Sequence, residues 1–227
     1  MEDKGRNDLG VAPTLILAVL IAIILKGTLD SFFPALIAGR SLRELYEAWP
    51  PTRKTWLRGA QLFVFLILLA RFYWGAFRYN QEHAMGKTVG VIIVNLLGTF
   101  GLFSLFYVAC INVWTIDLFY ALILVVHVFD VLWFTVARVR LPTSSPLTGV
   151  VGWFIWWDVL TFVAYASAYF LLRDRFWAGR DTLLQVSLLA VLLVISLLDW
   201  AVLWDFYFRP EKWCQKAQRA QTVGQAA

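Results

Sequence analysis

"LFYALILVVHVFDVLWF", residues 118–134, is seventeen residues long, and only His127 and Asp130 in it titrate below or near neutral pH. The apolar run extends to 116–137, close to the ~20 residues a helix needs to cross a bilayer core. A membrane-spanning strand would take about ten residues and would alternate apolar with polar ones. This stretch does not alternate, so it reads as a transmembrane helix.

The same reading recurs over 12–38, 57–79, 88–113, 149–172 and 182–208, giving six spans with 116–137 included. Of the 227 residues, 60% are hydrophobic, against about half in soluble domains. No segment between the spans is long enough to fold as a soluble domain. The expected fold is an all-α integral membrane protein with a single six-helix transmembrane domain over 1–208. The tail 209–227 begins basic, turns small and polar, and is expected to be disordered. The first apolar run is too long for a signal peptide. It carries Lys26 and Asp30 and follows Glu2, Asp3 and Asp8, so it reads as a retained first span.

The first loop carries its own pattern. In "SLRELYEAWPP" (41–51) Ser41 and Glu44 stand in capping-box spacing. Leu42, Leu45, Tyr46 and Trp49 share one helical face, and Pro50 and Pro51 end it. This predicts a short amphipathic helix lying in the interface between spans one and two, with a plain polar connector as the alternative.

Six spans place both termini on one side. That side carries ten Lys and Arg, the other eight. The positive-inside rule then makes the termini cytoplasmic, in the cell (inner) membrane, by a narrow margin. The net charge of +5 sits in the loops and suits anionic lipid headgroups; no groove-reading module for nucleic acid is present. The expected partners are therefore membrane lipids, together with a homo-oligomer or another membrane protein.

Charged residues inside the spans carry the functional reading. A charge at mid-membrane costs roughly 2.5–3.5 kcal/mol on insertion scales, so it turns inward and finds a partner. Counting along alternating spans places Arg71, Asp130, Asp158 and Asp199 in one layer, with His127 and Lys26 near the midplane. Arg71 has the geometry to hold one aspartate in a bidentate pair, leaving carboxyls over as candidate ion or proton sites. His127 and Asp130 are three residues apart, and Lys26 and Asp30 four, so each pair shares a helix face. The second pair is expected to be a buried ion pair. Asn95 and Thr99, the series Asp158, Thr161 and Tyr165, and the series Gln185, Leu192, Ser196 and Asp199 predict further inward polar stripes. Gly98 with Gly101, and Ala164 with Ala168, predict close helix contacts.

Residues 62–77 align with 118–134 at an offset of 56, which sets Arg71 opposite His127. This has two readings, a repeated helical hairpin or chance likeness between leucine-rich spans. Cys110 and Cys214 lie at different depths without CxxC spacing, so neither a disulfide nor a zinc site is expected. Two histidines, one of them (His83) in a loop, do not support a haem between spans. No HExxH, GxSxG or phosphate-loop motif occurs, and "TVGVI" (88–92) only superficially resembles a potassium filter. No cofactor or metal is expected.

The leading expectation is a small ion- or proton-coupled transporter or channel-like protein. Its site would be Asp130, Asp158, Asp199, Arg71 and His127. The alternatives are a non-transporting membrane subunit or scaffold, and a membrane enzyme using His127 and Asp130 on a lipid-like substrate.

Overall fold

The computed structural model of the chain describes residues 3–37, 53–84, 89–112, 116–141, 145, 147–171, 182–209, 211–213 and 215. The predicted interfacial helix over 41–51 and the far tail lie outside them.

The described chain is all-helical. Its elements are α1 (Asp3–Ile37), α2 (Arg53–Ala84), α3 (Val89–Ile111), α4 (Ile116–Arg140), α5 (Leu147–Leu171), α6 (Thr182–Val202) and the short α7 (Trp204–Phe208). Among the described residues, α1, α2, α4, α5 and α6 are long and apolar enough to cross a membrane. The apolar stretch of α3 is shorter, Asn95–Ile111, although the whole helix of 23 residues is about 34 Å long at 1.5 Å per residue. This is a multi-pass membrane protein.

Local signals explain several helix ends. Ser145 caps α5: its carbonyl accepts from the amide of Thr148 at 3.0 Å and its hydroxyl from that of Leu147 at 3.4 Å. Arg138 and Arg140 occupy the last turn of α4, where cations offset the helix dipole. Leu203 separates α6 from α7 with φ −95° and ψ 22°. The backbone ladder nonetheless continues, with Leu203 N donating to Asp199 O at 2.9 Å and Tyr207 N to Leu203 O at 3.0 Å. Tyr207 therefore stays on the Asp199 face, two turns on.

The helices pack as a ring in the order α1, α3, α4, α5, α6, α2 and back to α1. Large aromatic side chains fill its middle. One apolar cluster gathers Phe65 and Phe72 of α2, Phe106 of α3, Phe119 and Tyr120 of α4 and Tyr165 of α5. Their rings meet at 5.1 Å (Phe72–Phe106), 5.9 Å (Phe65–Phe119) and 6.0 Å (Tyr120–Tyr165). A second cluster, nearer the end where α4 meets α5, gathers Tyr79, Phe134, Val151, Phe154, Phe206 and Tyr207. The charged layer lies between the two. Large aliphatic and aromatic side chains such as Leu97, Leu132, Phe170 and Val194 face outward, as a lipid-embedded bundle requires.

Two readings need correction here. Arg78 belongs not with the loop cations but with the interior: its Nε donates to the carbonyl of Phe206 at 3.0 Å, and the guanidinium sits 5.8 Å from that ring. Without Arg78, the charge tally between the two sides narrows to nine against eight. Ala164 is exposed, so the close-contact face expected on α5 does not form there. The α3 contacts do form. A Cβ on Gly98 would stand 2.4 Å from the Trp133 indole, and one on Gly101 would stand 2.9 Å from the Phe129 ring.

Candidate functional site

Arg71 stands at the centre of the layer, 3% exposed. Its Nε donates to Asp199 Oδ2 and its Nη1 to Asp158 Oδ1, each at 3.0 Å. The guanidinium thus bridges two carboxylates on two helices, rather than gripping one in the expected bidentate fork. Its Cζ also lies 4.8 Å from the Phe72 ring. Both aspartates are fully buried, and each shares its bonded oxygen with a second donor. Asp158 Oδ1 contacts His127 Nδ1 at 2.9 Å. Asp199 Oδ2 accepts from the hydroxyl of Tyr207 at 2.7 Å.

The structure therefore brings Arg71, His127, Asp158 and Asp199 into one bonded cluster from α2, α4, α5 and α6. His127 turns to Asp158 instead of Asp130, so the pair invoked for acid–base chemistry on a lipid-like substrate is not formed. With Nδ1 facing a carboxylate, the imidazole carries a proton there; its Nε2 has no hydrogen-bond partner.

Asp130 is also buried, on the same α4 face as His127 one turn later. Its carboxyl interacts with that of Asp158, and because ionised carboxylates only accept hydrogen bonds, the two can bond to each other only when one of them holds a proton. Its Oδ1 has no partner, nor do Asp158 Oδ2 and Asp199 Oδ1. Three carboxyls thus surround one permanent cation. With all three ionised and His127 neutral, two negative charges would be unbalanced in a low-dielectric interior, a costly state. A proton at the Asp130–Asp158 contact and another on His127 would make the cluster neutral.

A cavity of about 30 Å³ opens beside Asp130, room for about two water molecules. Arg71, Asn80, Thr99, Asp130 and Tyr207 supply its polar lining, and Trp133 and Phe154 lie among its apolar walls. Along α2 the lining runs from Arg71 to Asn80, about 13 Å of helix axis, so the cavity extends from the charged layer toward the end of the bundle where α2 stops. Asn80 Nδ2 lies 3.4 Å from Thr99 Oγ1 across this space.

Other inward polar residues are spent on their own helices. Thr161 Oγ1 donates to Trp157 O and Ser196 Oγ to Leu192 O, both at 2.8 Å. Among the described residues, no group of three His, Cys, Asp or Glu side chains is arranged to hold a metal ion.

Lys26 and Asp30 do bond to one another across one turn of α1, but the expectation of burial fails. Their side chains are 79% and 62% exposed. The buried stripe of α1 is Leu17, Ile24, Thr28 and Phe32, and Lys26 stands about half a turn away from it. Four-residue spacing shows that two residues share a face, not which face that is.

Sequence reasoning did not single out Tyr207, whose hydroxyl donates to Asp199. Its spacing of eight from Asp199, two turns on one face, was the available signal. It also missed Asn80, near the end of its helix, as a lining residue. Compared with protein-family models, curated proteins and solved structures, the chain matches none.

Proposed function

We propose that the protein is a small proton-coupled transporter or channel of the cell membrane, with both termini cytoplasmic, whose exchangeable site is the carboxyl of Asp130. One observation carries the reading: Asp130 is a buried carboxyl with an unpartnered oxygen beside a cavity, while among the described residues the one permanent cation of its layer, Arg71, already serves two other carboxylates. A structural ion pair needs no third acid. A site that loads and unloads a proton does, and it needs a passage for water.

Arg71 then acts as the fixed counter-charge that faces Asp158 and Asp199 in the interior. Asp158 links the cavity side of the layer to His127, because it touches Asp130 and the imidazole together. A proton entering by the cavity reaches Asp130 and is shared with Asp158, whose Oδ1 in turn holds the Nδ1–H of His127. Phe72, its ring tilted against the imidazole with centroids 5.6 Å apart, marks the start of the aromatic cluster that closes the far side, so continuing the path requires that cluster to move.

The test is proton flux into proteoliposomes under an imposed pH gradient and membrane potential, read with an internal pH dye. Unmodified protein is expected to exceed protein-free vesicles. Asp130→Asn, which keeps the shape and can still donate to Asp158, is expected to lower flux at least tenfold without lowering the melting temperature. Unmodified flux equal to that of protein-free vesicles, or full flux in Asp130→Asn, would refute the assignment.

A further inference from the structure

We infer that the outward face of α1 is where a second copy of this chain binds, with the Lys26–Asp30 pair as its polar centre. The inference stands apart from whatever the buried cluster carries.

Lys26 and Asp30 sit within the apolar span Leu15–Phe32. Lys26 is eleven residues past Leu15 and eleven before Ile37, the last described residue of α1, about 16 Å from either. A lysine side chain reaches about 6 Å and cannot snorkel that far to headgroups. The pair is therefore held in hydrocarbon unless another polar surface covers it.

Three observations point to a second copy. The pair carries both signs, so it is its own complement under a two-fold axis along the membrane normal: each Lys26 faces an Asp30 of the other copy about 6 Å along the helix, within its reach. The exposed residues Ile16, Val19, Ile23, Lys26 and Asp30 follow one another at steps of three, four, three and four, the spacing of a seam between two supercoiled helices. Ala18 and Ala22 are also exposed, and Ala22 stands one turn before Lys26, so two backbones can approach closely where the charges meet. On the opposite side α1 is already packed, with Gly27 against Tyr107 and Cys110 of α3 and Phe32 against Phe65 of α2. The outward face is what remains available to another molecule.

A charge-swap pairing experiment tests this. Differently tagged copies carrying Lys26→Asp and Asp30→Lys are co-reconstituted, and association is read by energy transfer across a range of protein-to-lipid ratios. The unmodified chain is expected to self-associate. Each swapped chain alone is expected to self-associate roughly tenfold more weakly, the scale of one interhelical polar contact, because like charges then face each other. The two swapped chains together are expected to recover the unmodified affinity, and that recovery shows that both fold. The double variant Lys26→Met/Asp30→Leu supplies a second reading that does not depend on the swapped chains inserting: its self-association is expected to fall by a similar factor at an unchanged melting temperature. The proposal is overturned if the unmodified chain stays monomeric at every density, if the swapped chains show no preference for each other, or if the double variant associates as tightly as the unmodified chain.

Discussion

Among the described residues, aspartates meet a lysine or arginine at two places inside apolar helices, and the two differ in almost every respect. At Arg71 the partners come from α2, α5 and α6, far apart in sequence, and all are buried. At Lys26 the partners are four residues apart on α1 and exposed. The first ties three helices together and surrounds one cation with three acids. The second satisfies itself within one turn, one charge against one, and ties α1 to nothing else in the described chain. The difference separates a contact the fold depends on from one that faces outward. A buried pair broken on one side strands its partner charge in the interior, whereas an exposed pair in a single helix is free to rearrange.

Removing Arg71 is the strongest way to break this comparison. Arg71→Met strands Asp158 and Asp199, and the expected loss of stability is about 3–5 kcal/mol, read as the fall in melting temperature in mild detergent. Arg71→Lys keeps the charge but replaces a planar fork with a point charge. It is expected to recover only part of the loss, because one ammonium cannot hold the two-carboxylate geometry in which Nε and Nη1 each bond a different helix. Equal stability of Arg71→Met and the unmodified chain would mean that the cluster does not hold the helices.

Why one of these contacts was legible in the sequence and the other was misread follows from the solvent. Length and composition were enough for the six helices, because a bilayer sets the span and forbids unpaired backbone. Depth was legible as well: counting residues from span ends placed Arg71, Asp158 and Asp199 at one level, where they bond. Facing was not. In water, polarity marks the outside of a helix; in lipid the outside is as apolar as the core, so periodicity carries little directional signal. Hence Lys26 and Asp30 were expected inside. Arg78 and Tyr207 failed for another reason. Both stand near helix ends, where a basic or amphipathic side chain ordinarily marks the interface, yet both are buried in the bundle. Phe206 and Tyr207 are buried against Phe154, while Arg78 holds the Phe206 carbonyl. The bridging of two aspartates by one arginine was equally out of reach, since it depends on the lateral order of α2, α5 and α6 in the ring.

Gly98→Ala probes the wall of the cavity rather than the charge. The new methyl would meet Trp133 well inside contact distance, and the indole would have to leave its place beside Asp130. The expected cost is about 1–3 kcal/mol. Trp133 fluorescence is expected to shift if measured in a background where the other tryptophans are replaced. An unchanged melting temperature and an unmoved spectrum would show that the wall is loosely packed. Tyr207→Phe removes one donor from Asp199 and leaves the ring in place. The expected loss is about 1.5 kcal/mol, the low end for a hydrogen bond to a charged group. In a double-mutant cycle with Asp199→Asn the two effects are expected to be non-additive, as residues in one network are; simple additivity would show that the 2.7 Å contact contributes nothing.

The smallest expected effect belongs to the exposed pair. Lys26→Met/Asp30→Leu replaces both charges at once, so no partner is stranded, and the new side chains match the aliphatic surface formed by Val19, Ile23 and Leu29. At high dilution in detergent, where copies do not meet, the melting temperature of the double variant is expected to equal that of the unmodified chain within error. The single change Lys26→Met is expected to be worse tolerated than the double one, because Asp30 would then face hydrocarbon alone. Reversal of that order would mean that Asp30 has a second partner within its own chain. A double variant as unstable as Arg71→Met would mean that the outward face of α1 supports the fold as the interior does, and the contrast between the two contacts would be lost.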